Sequence, residues 1–302
     1  HGSLRQTSNP KYLVVEDLLE YVSYYQLLDI GGGMFAGVNR TNYILEFKDK
    51  TDFSGKDGVI AEATFLRAYY YFELVKWFGD VPLSVDKRLL FGDQDIVDRT
   101  PKAEVYAQIE LDLIFAAANL PAVQSQTGRV TKGAAQALLG KVYLYQDKFS
   151  EAATVLDDVI NNGPYDLVTD YNSIFEQEGE NNIESVFEVQ YTDVEGAGFG
   201  CLQCSEGNVA VGFNGIRNYT GPDFDSGFSF NVPTQEAYDA FEDGDIRRDV
   251  AILNIVTWAE QTGATYVEGF EHTGFYNRKY IARKGDLNTG DANLTNPNNY
   301  RA

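Results

Sequence analysis

Residues 198–233, within a predicted long loop over 194–233, hold the side chains best suited to binding chemistry, because rings and hydrogen-bonding groups occur there among many glycines. A tyrosine face beside an arginine and an asparagine can stack on a flat ligand while its polar neighbours bond hydroxyl groups. A second predicted loop, 257–298, carries one of the two tryptophans. We therefore predict a ligand site made of Phe213, Arg217, Asn218, Tyr219, Asp223, Phe224, Phe228 and Trp258.

These aromatic side chains also have a structural alternative. A long loop needs anchors, and each ring could pack against the fold and hold its own loop in place. For any single ring we favour this packing role. For the five rings of the predicted site taken together, we expect at least one to contact a ligand.

Catalytic chemistry has no positive support in the sequence. Asp and Glu are so abundant, 45 of 302 residues, that spacing alone singles out no acid–base pair. Glu184 and Glu188 share one face of a predicted strand, and a solvated face explains them better than catalysis does. No Gly-x-Ser-x-Gly motif occurs, and the glycine run 31–33 lacks the Lys-Ser/Thr ending of a phosphate loop. We predict that the protein is not an enzyme.

Metal and redox sites are equally weak candidates. Cys201 and Cys204 form a Cys-x-x-Cys, but glycines flank it where a redox motif has a strand and a helix. With His1 and His272 as the only histidines, a zinc site would lack ligands. We predict no cofactor and no metal, with calcium in the acidic stretch 286–291 as a minor alternative, since that stretch has no ordered calcium-loop pattern.

The charge excludes one class of partner. The formal net charge is −21 at pH 7, and no Lys/Arg stripe offsets it, so the surface repels nucleic-acid phosphates and anionic lipids. We therefore expect no nucleic-acid partner. No run of 18 apolar residues that could span a membrane occurs either.

The candidate site needs a scaffold, and the first half of the chain predicts a helical one. Residues 59–78 are almost entirely apolar or aromatic, so other helices must cover them on most sides. Arg67 within this helix must be paired with a nearby acid, and Trp77 is expected in the core. Thr131 and Ser150 are predicted helix caps. Helical periodicity predicts helices over 34–47, 59–78, 101–118, 131–146 and 150–161.

A tetratricopeptide-type repeat signature covers two of these predicted helices, 131–146 and 150–161. Gly140 lets the two helices approach, and Ala152 fits a close crossing. Gln136 replaces the early tryptophan of the repeat, so the match is incomplete. The sequence predicts stacked helical hairpins. Tetratricopeptide positions are occupied by Leu139, Gly140, Tyr143, Ala152 and Pro164.

Composition changes after Pro164, where glycine, asparagine and aspartate become frequent. We predict a strand over 185–191 and a short amphipathic segment over 234–241. The alternating charges of Asp245, Arg247, Arg248 and Asp249 are expected to cap and pin a helix end or loop.

Five segments follow one another along the chain: AEATFLRAYYYFELVKWFGDVPL (61–83), the run 129–160, NNIESVFEVQY (181–191), PTQEAYDAFEDGDIRRDVAIL (233–253) and TGFYNRKY (273–280). In this order they resemble the SusD/RagB family of surface glycan-binding lipoproteins. The resemblance covers most of residues 34–302.

The resemblance implies a mainly α fold, a scaffold of tetratricopeptide-like helical hairpins with a loop-rich, mixed ligand-binding subregion. It implies a single domain over 1–302, with the scaffold in 34–164 and the ligand-binding part in 165–302. It also implies non-catalytic capture of a polysaccharide or oligosaccharide and its delivery to a SusC-like, TonB-dependent outer-membrane transporter. The implied location is the cell surface of a bacterial outer membrane, with a lipid anchor on an N-terminal cysteine.

The chain departs from the family at both ends. It has no lipoprotein signal or acylated cysteine, and it stops after Asn299-Tyr300-Arg301, where family members continue into a helix and a final repeat. We therefore expect both ends to be truncated. Two other functions stay open: a protein-docking scaffold without glycan contact, and a glycoside hydrolase, which would need two carboxylates about 5–10 Å apart across a cleft.

Overall fold

A computed structural model describes residues 31–85, 87–90, 98–192, 210–269, 271–286 and the backbone of 300–301. The chain divides into two compact units, His1–Gly163 and Pro164–Ala302. The division falls where the composition changes. The first unit is helical and the second is loop-rich, which confirms the predicted mainly α fold class. That both units form one domain stays a prediction.

The first unit is a stack of helical hairpins in which the second to fifth helices pack one on the next along the chain. Its helices agree with the predicted ranges to within a few residues. Thr131 is confirmed as a cap, since its hydroxyl accepts from the backbone N–H of Ala134. The helices are α1, described over residues 31–47, α2 (Lys56–Phe78), α3 (Lys102–Asn119), α4 (Lys132–Leu144) and α5 (Phe149–Asn162).

The predicted cap at Ser150 is wrong. Asp147 adopts a positive φ of 58°, which makes the link between α4 and α5 tight enough for Lys148 to take the cap position. Ser150 therefore lies in the first turn of α5. Gly140 has its predicted role, because a Cβ atom there would lie 2.6 Å from the side chain of Leu156 on α5.

Arg67 is the polar centre of the first unit. The residue is 6% exposed, and its Nε and Nη2 atoms donate to the two carboxylate oxygens of Asp112 on α3, both at 2.7 Å. Its Nη1 atom donates to the carbonyl of Val85 at 2.6 Å and to Oδ1 of Asn42 on α1 at 3.2 Å. One guanidinium thus joins three helices and the segment after α2, which confirms the predicted ion pair.

Trp77 is 60% exposed, so its predicted core position is wrong. Helical geometry explains the difference. Val59 and Leu66, which are 36% and 37% exposed, lie eighteen and eleven residues before it, spacings that return to the same face of α2. This stripe is the one side of α2 that its neighbours leave uncovered in the described residues.

The second unit is built from short elements. Strands β1 (Glu188–Val189) and β6 (Tyr300–Arg301) are antiparallel, as are β4 (Ile252–Asn254) and β5 (Phe275–Asn277), whereas β2 (Ile216–Arg217) and β3 (Ser226–Gly227) are parallel. The predicted strand over 185–191 thus shortens to two residues. The short helices are α6 (Ala210–Asn214), α7 (Gln235–Asp239), α8 (Arg247–Ala251) and α9 (Ile255–Thr262).

Two predicted loops contain helices. Helix α6 falls within 194–233, and α9 includes Trp258, which the sequence placed on a loop. Helix α9 forms because Asn254 accepts from the backbone N–H of Thr257 at its start and Gly263, with a φ of 74°, ends it. The predicted pinning role of Asp245 is confirmed, since its carboxylate bonds the backbone N–H and the guanidinium of Arg247 where α8 begins.

We expect Arg67→Met to lower the free energy of unfolding by about 3–5 kcal/mol, because Asp112 would remain buried without its cation. Urea denaturation followed by circular dichroism measures this loss. Lys76→Met is the control on the same helix, as it removes the i,i+3 pair with Glu73 and the cation–π contacts with Phe72 and Tyr145, together about 1 kcal/mol. Equal losses in the two variants would contradict the prediction.

The stability of the first unit should fall at high pH because burial raises the pKa of Tyr71 to about 12. An unfolded tyrosine titrates near pH ~10, so between these values the folded chain holds the proton more tightly and stability falls as pH rises. Tyr71→Phe should remove roughly 2–3 kcal/mol of that fall. Denaturation on both sides of the window tests this, and the exposed Tyr145→Phe should behave like the wild type.

Candidate ligand-binding site

The structure places the eight predicted site residues in two different settings. Tyr219 and Phe224 are 7% and 2% exposed and belong to the core of the second unit. Their rings have the packing role that the sequence left open, and in this conformation neither offers a face to a ligand. Their part in ligand binding stays a prediction.

Trp258 helps to hold this core. Its indole Nε1 donates to the hydroxyl of Tyr219 at 2.8 Å, and that hydroxyl donates to the carbonyl of Pro222 at 2.7 Å. The Trp258 ring lies 5.4 Å from the ring of Phe224. Burial raises the pKa of Tyr219, against the smaller opposing effect of the Trp258 bond, so its hydroxyl stays protonated at neutral pH.

Three other rings form a surface, which we call the phenylalanine platform: Phe213, Phe228 and Phe230. The ring of Phe230 stacks on Phe213 with centroids 5.9 Å apart and on Phe228 with centroids 5.6 Å apart, at interplanar angles of 24° and 20°. Phe230 is 69% exposed, and the other two are half-buried. Nearly parallel exposed rings offer an apolar face to a flat ligand.

Backbone hydrogen bonds fix the platform. The N–H of Phe228 donates to Gly212 at 2.8 Å, and the N–H of Phe230 donates to Phe213 at 2.8 Å. Gly215 and Gly227 touch so closely that a Cβ on either would lie 2.4–2.7 Å from the backbone of the other. This close approach brings the segment after β3 against α6 and so aligns the three rings.

Polar groups border the platform. Arg217 donates from Nη2 to the carbonyl of Phe228 at 2.9 Å, which leaves further guanidinium donors beside the rings. Asn214 accepts at Oδ1 from the side-chain amides of Asn231 and Asn277, each at 3.0 Å. Asn218 and Asp223, the remaining predicted residues, are exposed at turns with positive φ. Rings and a polar border are the groups expected of a site for a hydroxylated ligand.

Phe230 was absent from the predicted site, although it is the most exposed ring of the platform. Its role follows from the pairing of residues 228–230 with 212–215, a contact that sequence spacing does not reveal. The available signal was the Phe-Ser-Phe pattern of 228–230, which puts two rings close together within a glycine-containing loop.

The carboxylates singled out from the sequence serve as anchors for loops. Glu188 is 3% exposed and accepts from the backbone N–H of Asn181 at 3.1 Å and from the hydroxyl of Ser185, so its predicted solvated position is wrong. Glu184 accepts from the backbone N–H of Val168 at 3.1 Å. Glu188 is buried because its carboxylate satisfies the turn that precedes β1.

Within the residues that the structure describes, no group of three or more His, Cys, Asp or Glu side chains could hold a metal ion. Cys201 and Cys204 lie outside those residues, as does 287–291 of the acidic stretch. Burial, with smaller effects from nearby Glu178 and Glu176, raises the pKa of Asp286. No helix of the described ranges is both long and apolar enough to cross a membrane.

Comparisons with known proteins give a consistent result. A family model described as starch-binding and associating with the outer membrane matches residues 18–144. SusD-like protein P2 of Formosa agariphila is 30% identical over 233 residues, which are 75% of this chain and 45% of that relative. The chain therefore spans less than half of this relative's length.

Solved structures agree. A laminarin-binding SusD-like protein is 35% identical with a TM-score of 0.81, over 89% of this chain and 62% of the other. Surface glycan-binding protein A of Bacteroides thetaiotaomicron, solved in complex with laminarihexaose, is 25% identical with a TM-score of 0.77, over 90% and 61% of the two chains.

We expect Tyr219→Phe to lower the free energy of unfolding by about 1–3 kcal/mol, because Trp258 Nε1 and the Pro222 carbonyl would lose a buried partner. Thermal and urea denaturation measure the change. The matched control is Tyr280→Phe. Tyr280 is 39% exposed, so its replacement should leave the free energy of unfolding nearly unchanged. A Tyr219→Phe variant as stable as this control would contradict the structural role.

Proposed function

Because the chain belongs to the SusD/RagB family, we propose that it captures glycans on the phenylalanine platform and does not cleave them. The observation that carries this proposal is the stack of three rings with a polar border. Pyranose rings have apolar C–H faces and hydroxyl edges, so they need both kinds of group at once.

The expected binding is weak. Phe230 lies on an open surface, so few polar groups lose water for each sugar that docks, and little of the contact energy remains after the cost of association. Weak, reversible capture suits a protein that passes its ligand on. Glu184 and Glu188, the two carboxylates singled out from the sequence, bond backbone N–H groups of their own loops, which is an anchoring role.

Laminarin is the first candidate ligand. One similar solved structure is of a laminarin-binding SusD-like protein, and another contains bound laminarihexaose. The matching family model is described as starch-binding. The family model also supports a place at the outer membrane. There the protein would be lipid-anchored at the cell surface and would hand its glycan to a TonB-dependent, SusC-like transporter.

A second candidate function, protein docking, rests on the exposed apolar side chains of the first unit. Leu111 on α3 is 62% exposed, and Phe149 and Ile160 on α5 are 63% and 72% exposed. Stacked hairpins present such surfaces to protein partners. Docking and glycan capture predict different sensitive residues, so one experiment separates them.

We expect Phe230→Ala to weaken laminarin binding roughly five- to tenfold, because it removes the central, most exposed ring of the stack. Retardation in native gels cast with laminarin or starch, followed by calorimetry with laminarihexaose, measures the loss. Phe149→Ala is the matched control, since this phenylalanine is equally exposed but lies in the first unit.

Wild-type retardation lost in Phe230→Ala and kept in Phe149→Ala would support the platform. Retardation unchanged in both variants would show that the glycan site lies elsewhere in the chain. No retardation in any glycan gel would refute capture and favour docking. A reducing-sugar assay on the same mixtures should stay at background, and released sugar would refute the non-catalytic part.

A further inference from the structure

The second unit contains a cleft of about 450 Å³ that the phenylalanine platform does not include. Tyr171, Phe241, Glu242, Arg247 and Lys279 supply its aromatic and charged lining. Small-molecule sites are usually clefts of ~300–1,000 Å³ with apolar walls and a few polar groups that orient the ligand. This cleft has that size, and it sets two aromatic rings beside charged groups in a lining that is more polar than apolar.

Two charged side chains of the cleft lack an ionic partner in the part of the chain that the structure describes. Lys279 is half-buried, and its Nζ lies 4.7 Å from the ring centre of Phe175 and 5.7 Å from that of Tyr171, with no carboxylate in bonding distance. Glu242 is exposed and makes no ion pair. The cleft therefore presents a free donor and a free acceptor.

The other two charges cancel. Arg247 bonds both carboxylate oxygens of Asp245, with Nη2 2.6 Å from Oδ2, and this guanidinium lowers the pKa of Asp245 to about 2. The pair is therefore an internal salt bridge at neutral pH. With Glu242 balancing Lys279, the cleft is close to electroneutral, which favours an uncharged polar ligand over a carboxylated or sulfated one.

One short segment connects the cleft with the platform. Asn277 donates from Nδ2 to Oδ1 of Asn214 and to the carbonyl of Asn231, next to Phe230. Lys279 follows two residues later, so the two Cα atoms are at most about 7 Å apart. Arg278, between them, donates to the carbonyl of Asp249 on α8 and fixes the segment against the wall of the cleft. One short, fixed segment thus joins the surroundings of the platform to the wall of the cleft.

We propose that this cleft is a second glycan subsite, which holds an uncharged sugar residue between Tyr171 and Phe241 and bonds its hydroxyls through Lys279 and Glu242. The inference rests on the proposed glycan capture. A glycan long enough to occupy both the platform and the cleft binds more tightly than one confined to either, because the second contact is intramolecular.

The test uses calorimetry with laminarihexaose and with shorter members of the same series. Phe241→Ala and Lys279→Gln should each weaken laminarihexaose binding roughly fivefold and should leave the shorter ligands on the platform little changed. Lys141→Gln, an exposed lysine of α4, is the charge-matched control and should bind like the wild type.

A nuclear magnetic resonance titration locates the contact. In the Phe230→Ala background, laminarihexaose should still shift the backbone amide signals of Phe241, Arg247 and Lys279. Shifts confined to residues 213–231 in the wild type would overturn the subsite. A stronger response to an oligouronate than to laminarihexaose would overturn its uncharged ligand class.

The two proposals fail in different ways. If Phe230→Ala weakens binding while Phe241→Ala and Lys279→Gln match the wild type, capture stands and the cleft is not a subsite. If the wild-type chain binds no glycan at all, both proposals are refuted. Lys279→Gln removes the charge and its contacts with the rings of Tyr171 and Phe175 but keeps every ring of the cleft, so its result is interpretable even where Phe241→Ala disturbs folding.

Discussion

The buried pair of Arg67 and Asp112 is the interaction on which the first unit depends. A guanidinium inside an apolar helix is tolerable only where every donor finds an acceptor, and here the acceptors come from α3, from α1 and from the backbone after α2. That requirement fixes the position of α2 against its neighbours. Apolar packing alone would allow several similar positions of α2 against its neighbours. The guanidinium can bond all of its acceptors in only one of these positions.

The second unit also pairs its buried polar groups, but it does so with little regular secondary structure. Its strands are two or three residues long, so side chains and isolated backbone bonds replace extended ladders. Arg283 illustrates this, because it binds both carboxylate oxygens of Glu176 across a long stretch of sequence while its guanidinium faces the ring of Phe224. Such local anchors hold loops rigidly enough to align the phenylalanine platform, and they leave the loop surface free to vary.

The scaffold could be predicted from the sequence more fully than the site. The ranges of α2 to α5, the partner class of Arg67 and the close approach at Gly140 follow from periodicity and from the cost of a buried charge. The exposure of Trp77 did not follow, because it depends on which faces the neighbouring helices cover. Tyr219 and Trp258 are 39 residues apart, and no period links them. Long-range contacts of that kind decide which aromatic rings are core and which form a surface.

The positions of the two tryptophans make the chain its own optical reporter. Trp77 in the first unit is largely in water, whereas Trp258 in the second is half-buried with its indole N–H bonded to Tyr219. Their emission therefore has two components, one red-shifted and open to ionic quenchers and one bluer and more protected. Because Trp77 is already largely in water, its emission changes little when the first unit unfolds, so a red shift of the intrinsic fluorescence reports mainly the melting of the loop-rich second unit, without any added label.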